Sequence, residues 1–367
     1  MKNIKKVMIG ILCLFMMVSL FGCKSNKMAE MKGDVTSSAT KSEKMESGDM
    51  KEMSSVDKDK KPEGMKMNMM KSTLSVSEGE GYPVTITDIM GNKVTLTEEP
   101  KNVAVTSGTF LNLAYNCGGK SICTANIDSS AKVPDPSVME LPQIGAVYNL
   151  DVEKLLEQTP ELVICQFGLQ NGVIPALKQS EIPVLAFSMR TYKDVIDHVK
   201  VMGRIYNQEE KTEKIIKKME NDKNAILEKI PDEKKKVVII YIDSKSTSVK
   251  LPNSIAGNVC DLLGFENIAA GEIPEGMGGE STPFSLEYII EKDPDVILVT
   301  SMLGNEKDAE KIITERMGED PIYKNLRAVK EGNIVYLPQS HFLYNAGTDF
   351  VTGMEYVAKS IYPELFK

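Results

Sequence analysis

The 367-residue sequence contains no tryptophan and only two histidines, His198 and His341. That scarcity excludes most metal-dependent and histidine-based catalytic schemes, because a transition-metal site built wholly from protein draws on several His or Cys ligands. Of the six cysteines, none forms a C-x-x-C pair, and the sequence has no G-x-S-x-G, H-E-x-x-H or G-x-x-x-x-G-K-[ST] motif. An exported hydrolase, metalloprotease or P-loop enzyme therefore lacks its signature here. Positive charge is also short: 44 Lys and Arg, of which only four are Arg, stand against 52 Asp and Glu, for a net charge of −8. A chain of that sign does not suit nucleic acid as a partner.

What is present is a repeat. Asp151, Glu153, Leu155-Leu156, Glu157, Pro160, Glu161 and Leu162-Val163-Ile164 recur as Ser285, Glu287, Ile289-Ile290, Glu291, Pro294, Asp295 and Val296-Ile297-Leu298, at a constant offset (287 − 153 = 134) that also pairs Gly145 with Gly279. Each copy predicts a short helix, a proline stop and a buried strand. Asp151 or Ser285 can accept the unpaired N–H groups at the helix start, and the Glu that follows sits where the helix dipole favours it. Proline closes the helix, and the run of Val, Ile and Leu beyond it suits a strand covered on both faces. Two similar α/β units this far apart imply two lobes with a cleft between them.

The N-terminal segment reads as targeting rather than structure. Lys2, Lys5 and Lys6 precede an apolar run from Val7 to Phe21 that is short for a membrane span, and Leu20-Phe21-Gly22-Cys23 resembles a bacterial lipobox with Cys23 as the lipid-modified residue. The alternatives, an uncleaved anchor or an ordinary signal peptide, also export the chain. Residues 23–78 then form a Lys-, Glu-, Ser- and Met-rich tether with too few aliphatic side chains to offset the entropy of ordering. Its thioethers, ending in Met65, Met67, Met69 and Met70, are soft ligands of the kind that suits Cu(I). With no His or Cys among them, the preferred reading is a low-complexity spacer.

The folded part divides into an α/β lobe at 79–191, a helical connector at 192–230 with a break near Tyr206-Asn207, and a second α/β lobe at 231–367. A hairpin over Tyr82 to Thr97 turns at Gly91-Asn92, and the strands predicted after it are Val103–Thr106, Ser121–Ala125, Leu162–Ile164 and Pro183–Phe187. Strand and helix alternate throughout, which predicts a mostly parallel sheet with helices on both faces. Cys117 and Cys123 are either a pair in an oxidising compartment or, the preferred reading, buried thiols.

Lipobox, tether, opening hairpin, twin Glu-x-x-x-x-x-x-Pro-Glu/Asp units and helical connector together resemble the iron-chelate and cobalamin binding family of ABC-transporter substrate-binding proteins, from about Tyr82 to the end. The resemblance implies two Rossmann-like lobes joined by a long helix, the class III periplasmic-binding-protein-like fold. It implies a lipid-anchored protein outside the cell membrane, not an enzyme, that acts as a monomer and delivers a small-molecule metal chelate to permease subunits. Glu153 and Glu287 would dock into basic pockets on that permease. The competing readings are a catalytic carboxylate pair, against which stand their equivalent places in separate lobes, and a plain helix-start carboxylate, against which stands the repeat.

Open α/β sheets bind ligands at the C-terminal ends of their strands, which selects Phe110, Phe167, Arg190, Tyr192, Met302, His341 and Tyr344. Arg190 suits an anionic ligand such as haem or a ferric siderophore, a surface salt bridge being the alternative. If the ligand is haem, His341 and Met277 are the candidate axial ligands. A corrinoid is the alternative cargo, and a surface adhesin or sensor on the same fold is a remoter one. No resident cofactor is expected.

Overall fold

A computed structural model describes residues 74–127, 133–276, 279–303, 306–343 and 347–367. Cys23, the Met-rich stretch through Met70, Met277 and Tyr344 lie outside the described residues. No helix among the described residues is long and apolar enough to cross a membrane.

The fold begins earlier than residue 79. Leu74 is buried, and β1 (Ser75–Val76) pairs antiparallel with β2 (Val84–Thr87), which pairs in turn with β3 (Lys93–Leu96). The polar composition of 75–81 conceals this, because its anchorage comes from elsewhere: the buried Arg204 guanidinium donates to the carbonyls of Ser77, Gly79 and Gly81 and pairs with Glu209 at 3.3 Å. Val84, Ile86, Val94 and Leu96 alternate inward, as a half-buried ribbon requires. The turn is fixed by Asp88, wholly buried, whose carboxylate accepts from Met90 N, Asn92 N and Ala186 N at 2.8–2.9 Å.

The first lobe runs β4 (Val103–Val105), α1 (Gly108–Asn116), the short hairpin β5 (Gly145–Ala146) and β6 (Asn149–Leu150), α2 (Val152–Glu157), β7 (Leu162–Gln166), α3 (Ile174–Gln179) and β8 (Val184–Phe187). Strands β4, β7 and β8 form a parallel sheet in that order. The strand expected over Ser121–Ala125 is instead an irregular buried segment with one bridge, Thr124 to Gln143. Ser121 explains the difference: its hydroxyl accepts the Val105 N–H at 2.8 Å and donates to Cys123 O at 2.6 Å, so a side chain takes the place of the ladder at the β4 edge.

The connector is two helices, α4 (Tyr192–Ile205) and α5 (Glu209–Leu227). Thr191 and Asp194 form a reciprocal capping box at its start, and Asn207 at φ +52° makes the break between the helices. On α4, His198 lies wholly buried between Phe110 and Phe187, ring centroids 5.5 and 4.8 Å away, with Nδ1 bonded to Asp194 O. Burial drives its pKa down to about 4, against the weaker opposing pull of that carbonyl.

The second lobe runs β9 (Lys236–Ile242), β10 (Thr247–Lys250), α6 (Ile255–Leu262), β11 (Glu266–Asn267), β12 (Ser281–Pro283), α7 (Leu286–Lys292) and β13 (Val296–Ser301). After these come α8 (Glu306–Met317), α9 (Pro321–Asn325), α10 (Arg327–Lys330), β14 (Ile334–Tyr336), α11 (Gln339–Phe342) and α12 (Phe350–Ile361). Its sheet is mixed. β9, β13 and β14 are parallel, while β10 and β12 extend it antiparallel on the other side of β9.

The repeat survives in three dimensions down to the backbone. Asp151 and Ser285 each cap their helix by accepting the N–H three residues on, from Lys154 and Tyr288. Leu155 and Ile289 are the equivalent buried side chains, at 0% and 1% exposure, and Pro160 and Pro294 are both buried. The residue before each proline, Thr159 and Asp293, adopts positive φ, at 50° and 44°. Glu161 and Asp295 each accept the backbone N–H that leads into their lobe's first long strand, from Lys101 at 2.6 Å and from Lys236 at 2.7 Å.

Each sheet has two apolar faces. The outer faces have separate cores, around Ala104, Leu155 and Val163 in one lobe and Val238, Ile289 and Ile297 in the other. The inner faces share one: Val105, Ile164 and Phe187 belong to the same continuous core as Val237, Ile239 and Leu298, with side chains of α4, α5, α6 and α12 between them.

Candidate ligand-binding cleft

Where the loops of both lobes meet there is a cavity of about 200 Å³. The first lobe supplies Thr109 and Phe110 from the start of α1, Gln166 and Phe167 from the end of β7, and Ser188 to Arg190 after β8. The second supplies Lys250 from the end of β10, the start of α6, Glu280, Thr300, and Phe342 and Leu343 from α11. Its floor is held by amides and hydroxyls. Gln170, almost wholly buried, donates to Thr106 O at 2.9 Å and Val147 O at 3.0 Å and accepts the Gln166 N–H at 2.8 Å, while Ser107 Oγ donates to Gln166 Oε1 at 2.7 Å. This network fixes the orientation of Gln166 where it faces the cavity.

The charges are asymmetric. Arg190 Nε approaches Glu280 Oε2 at 3.5 Å across the cleft, and Lys250 Nζ lies 2.6 Å from Glu280 Oε1. Lys250 also sits over the Tyr241 ring, 4.5 Å from its centroid. Two cations share one carboxylate. Arg190 and Glu280 are each about one-third exposed, so the bridge between them contributes on the order of 1 kcal/mol at most. Glu280 also borders a more open depression of about 540 Å³, lined by Tyr241, Ser246 to Ser248, Glu275 and Phe284.

Arg190, Phe110 and Phe167 thus come together as the strand-end argument expects. Tyr192, Met302 and His341 do not line the cavity. Tyr192 is turned into the protein, its ring against Phe350 at 5.8 Å and under Lys223 Nζ, and burial raises its phenol well above the ordinary range. Met302 is 53% exposed beyond the end of β13. His341 packs through its Cβ toward Gly353 of α12, while its neighbours Phe342 and Leu343 face the cavity. Glu153 and Glu287 are exposed in the first turns of α2 and α7, away from the cavity, and Glu287 accepts from Ser285 Oγ at 3.2 Å. Cys117 and Cys123 are buried free thiols, both pushed up to about 12 by burial, as is Cys165. No cluster of metal-ligating side chains occurs among the described residues.

Lys250 and Glu280 were not among the residues selected from sequence. Lys250 ends β10 and Glu280 directly precedes β12, and the two strands form an antiparallel ribbon that alternation of strand and helix does not foretell. The signal for Lys250 was present: Asp243 to Ser246 form a polar turn between two β-branched runs, with Asp243 Oδ1 accepting from Lys245 N and Ser246 N at 2.7 Å.

The chain is 25% identical over 307 residues to an uncharacterized ABC transporter substrate-binding lipoprotein, YvrC of Bacillus subtilis (strain 168), covering 81% of this chain and 91% of that one. It is 25% identical over 249 residues to the Fe(3+)-citrate-binding protein YfmC of the same organism, covering 66% and 74%. Among solved structures, the periplasmic catecholate-siderophore binding protein VctP of Vibrio cholerae has the same fold, with a TM-score of 0.61 at 19% identity over 75% of this chain and 99% of that one. Residues 103–341, which span the first sheet, the connector and the second sheet, match the periplasmic binding protein family, and the chain belongs to it.

Proposed function

We propose that this protein captures an anionic ferric complex outside the cell membrane and hands it to the permease of an ABC importer. The observation that carries the proposal is the convergence of Arg190 and Lys250 on one carboxylate in the interlobe cavity. A guanidinium and an ammonium held at strand ends, beside the aromatic rings of Phe110 and Phe167, suit the carboxylate or phenolate oxygens of a ferric chelate. The likeness to a ferric-citrate-binding relative supports the same class. A haem cargo draws less support, since His341 is not among the residues lining the cavity. The lipobox at Cys23 supports a lipid anchor, and the exposed, repeat-related Glu153 and Glu287 support docking through one carboxylate on each lobe.

The test is titration of the purified protein with ferric citrate, a ferric tris-catecholate, haem and a cobalt corrinoid, each followed by its own absorption band. A ferric complex is expected to bind, and Arg190→Ala to weaken it by about 1–3 kcal/mol through loss of a charge-assisted hydrogen bond. Tight corrinoid binding that Arg190→Ala leaves unchanged would overturn the proposal.

A further inference from the structure

The two cations of the cleft already have an anion. Glu280 is reached by Arg190 from the first lobe and by Lys250 from the second, and it lines both the cavity of about 200 Å³ and the depression of about 540 Å³ beside it. Glu280 therefore borders both spaces. The smaller is tight for a chelated ferric ion, whereas the two together reach the several hundred Å³ typical of small-molecule sites. The main chain at Glu280 is fixed, because Glu280 O accepts the Leu251 N–H at 2.9 Å and Ser281 is in register with Lys250. The carboxylate is held by side chains instead, is about one-third exposed and needs only side-chain rotation to reach water.

We infer that Glu280 is an intramolecular anion that occupies the ligand's charge site in the ligand-free protein, and that a ferric complex bearing carboxylate or phenolate oxygens enters by displacing it. This rests on the anionic-ligand reading above. The exchange is one of like for like: two cations lose one carboxylate and gain the ligand's oxygens, while Glu280 turns out into solvent. Glu280 also screens the site against ligands of low charge, which cannot repay the bridges they break. And because Arg190 and Glu280 belong to different lobes, the same bridge draws the lobes together before the ligand arrives.

The substitution that tests this is Glu280→Gln, which keeps shape and hydrogen bonding and removes the charge. Affinity for ferric citrate and for a ferric tris-catecholate is read from quenching of tyrosine fluorescence. In the ligand-free protein, the separation of spin labels at Glu157→Cys and Glu291→Cys, exposed and equivalent in the repeat, reports the lobes. The expected result is binding at least tenfold tighter in Glu280→Gln and a longer label separation without ligand. Equal or weaker binding by Glu280→Gln, while Arg190→Gln and Lys250→Gln both weaken it, would overturn the role of Glu280 and leave the anionic reading standing. If neither cation variant changes affinity, or neither probe binds, the anionic reading fails. The label separation then decides the interlobe bridge by itself, an unchanged distance overturning it.

Discussion

The two lobes agree on their outer sides and differ where they meet. Helices α2 and α7 share caps, buried side chains, a left-handed residue and a closing proline, and each lobe uses the acidic residue after that proline to hold the entry to its first long strand. At the cleft the correspondence ends. The first lobe contributes two phenylalanines and Arg190, and the second contributes Lys250 and Glu280 from an antiparallel ribbon that has no counterpart in the three-stranded sheet of the first. Duplicated residues make scaffold and outer surface, and unduplicated ones line the cavity. Residues that do the same task twice can be found by self-comparison, whereas residues that act on one asymmetric ligand cannot.

The comparison is broken most severely at its outer surface. Replacing Glu153 and Glu287 together by Ala should abolish uptake by cells while the purified protein binds its ligand with unchanged affinity, and an equal fall in affinity would remove both residues from the docking role. Next in size are the equivalent core positions. Leu155→Ala and Ile289→Ala should each lower unfolding free energy by about 2–5 kcal/mol, and because the two outer cores are separate the double variant should lose the sum. Denaturant titration reads both quantities, and a large shortfall from additivity would show the outer cores to be coupled.

A third effect belongs to the first lobe alone. The folded-state pKa of His198, about 4, lies below its ordinary 6.5, so the unfolded chain takes up a proton that the folded chain refuses. The stability this histidine contributes is complete above pH 6.5 and is lost as pH falls toward 4, by roughly 3 kcal/mol in all. Urea midpoints at pH 7 and pH 5 should differ in the wild type more than in His198→Phe. The smallest effect distinguishes the paired left-handed residues. Thr159→Gly relieves a β-branched residue at positive φ and should raise stability by about 0.5 kcal/mol. Asp293→Gly should gain nothing, since Asp293 also pairs with Arg327 at 3.1 Å.

Much of the architecture was legible because it rests on local rules. The repeat, its caps and prolines, the connector break at Asn207 and the buried runs of β7 and β13 follow from patterns a few residues long. The extra strand β1 was not, because its stability depends on Arg204, more than a hundred residues away. Ser121–Ala125 has the composition of a strand but loses its ladder to a serine hydroxyl. In the cleft, Phe110, Phe167 and Arg190 were accessible through the rule that ligands lie at strand ends. Tyr192 satisfies the same rule and yet points inward, because position along a strand does not fix which way the first residue of the following helix turns.

The core shared by the inner faces of the two sheets bears on the energetics of capture. A protein whose lobes open on flexible strands exposes and reburies apolar surface each time it closes, and a calorimeter records that as a large negative heat-capacity change. Here Val105, Ile164 and Phe187 lie in one apolar body with Val237, Ile239 and Leu298, and wide separation of the lobes would open that body to water. Ligand capture should therefore proceed with a small heat-capacity change, set by the walls of the cavity rather than by the movement of the lobes, and its enthalpy should vary little from roughly 10 to 40 °C.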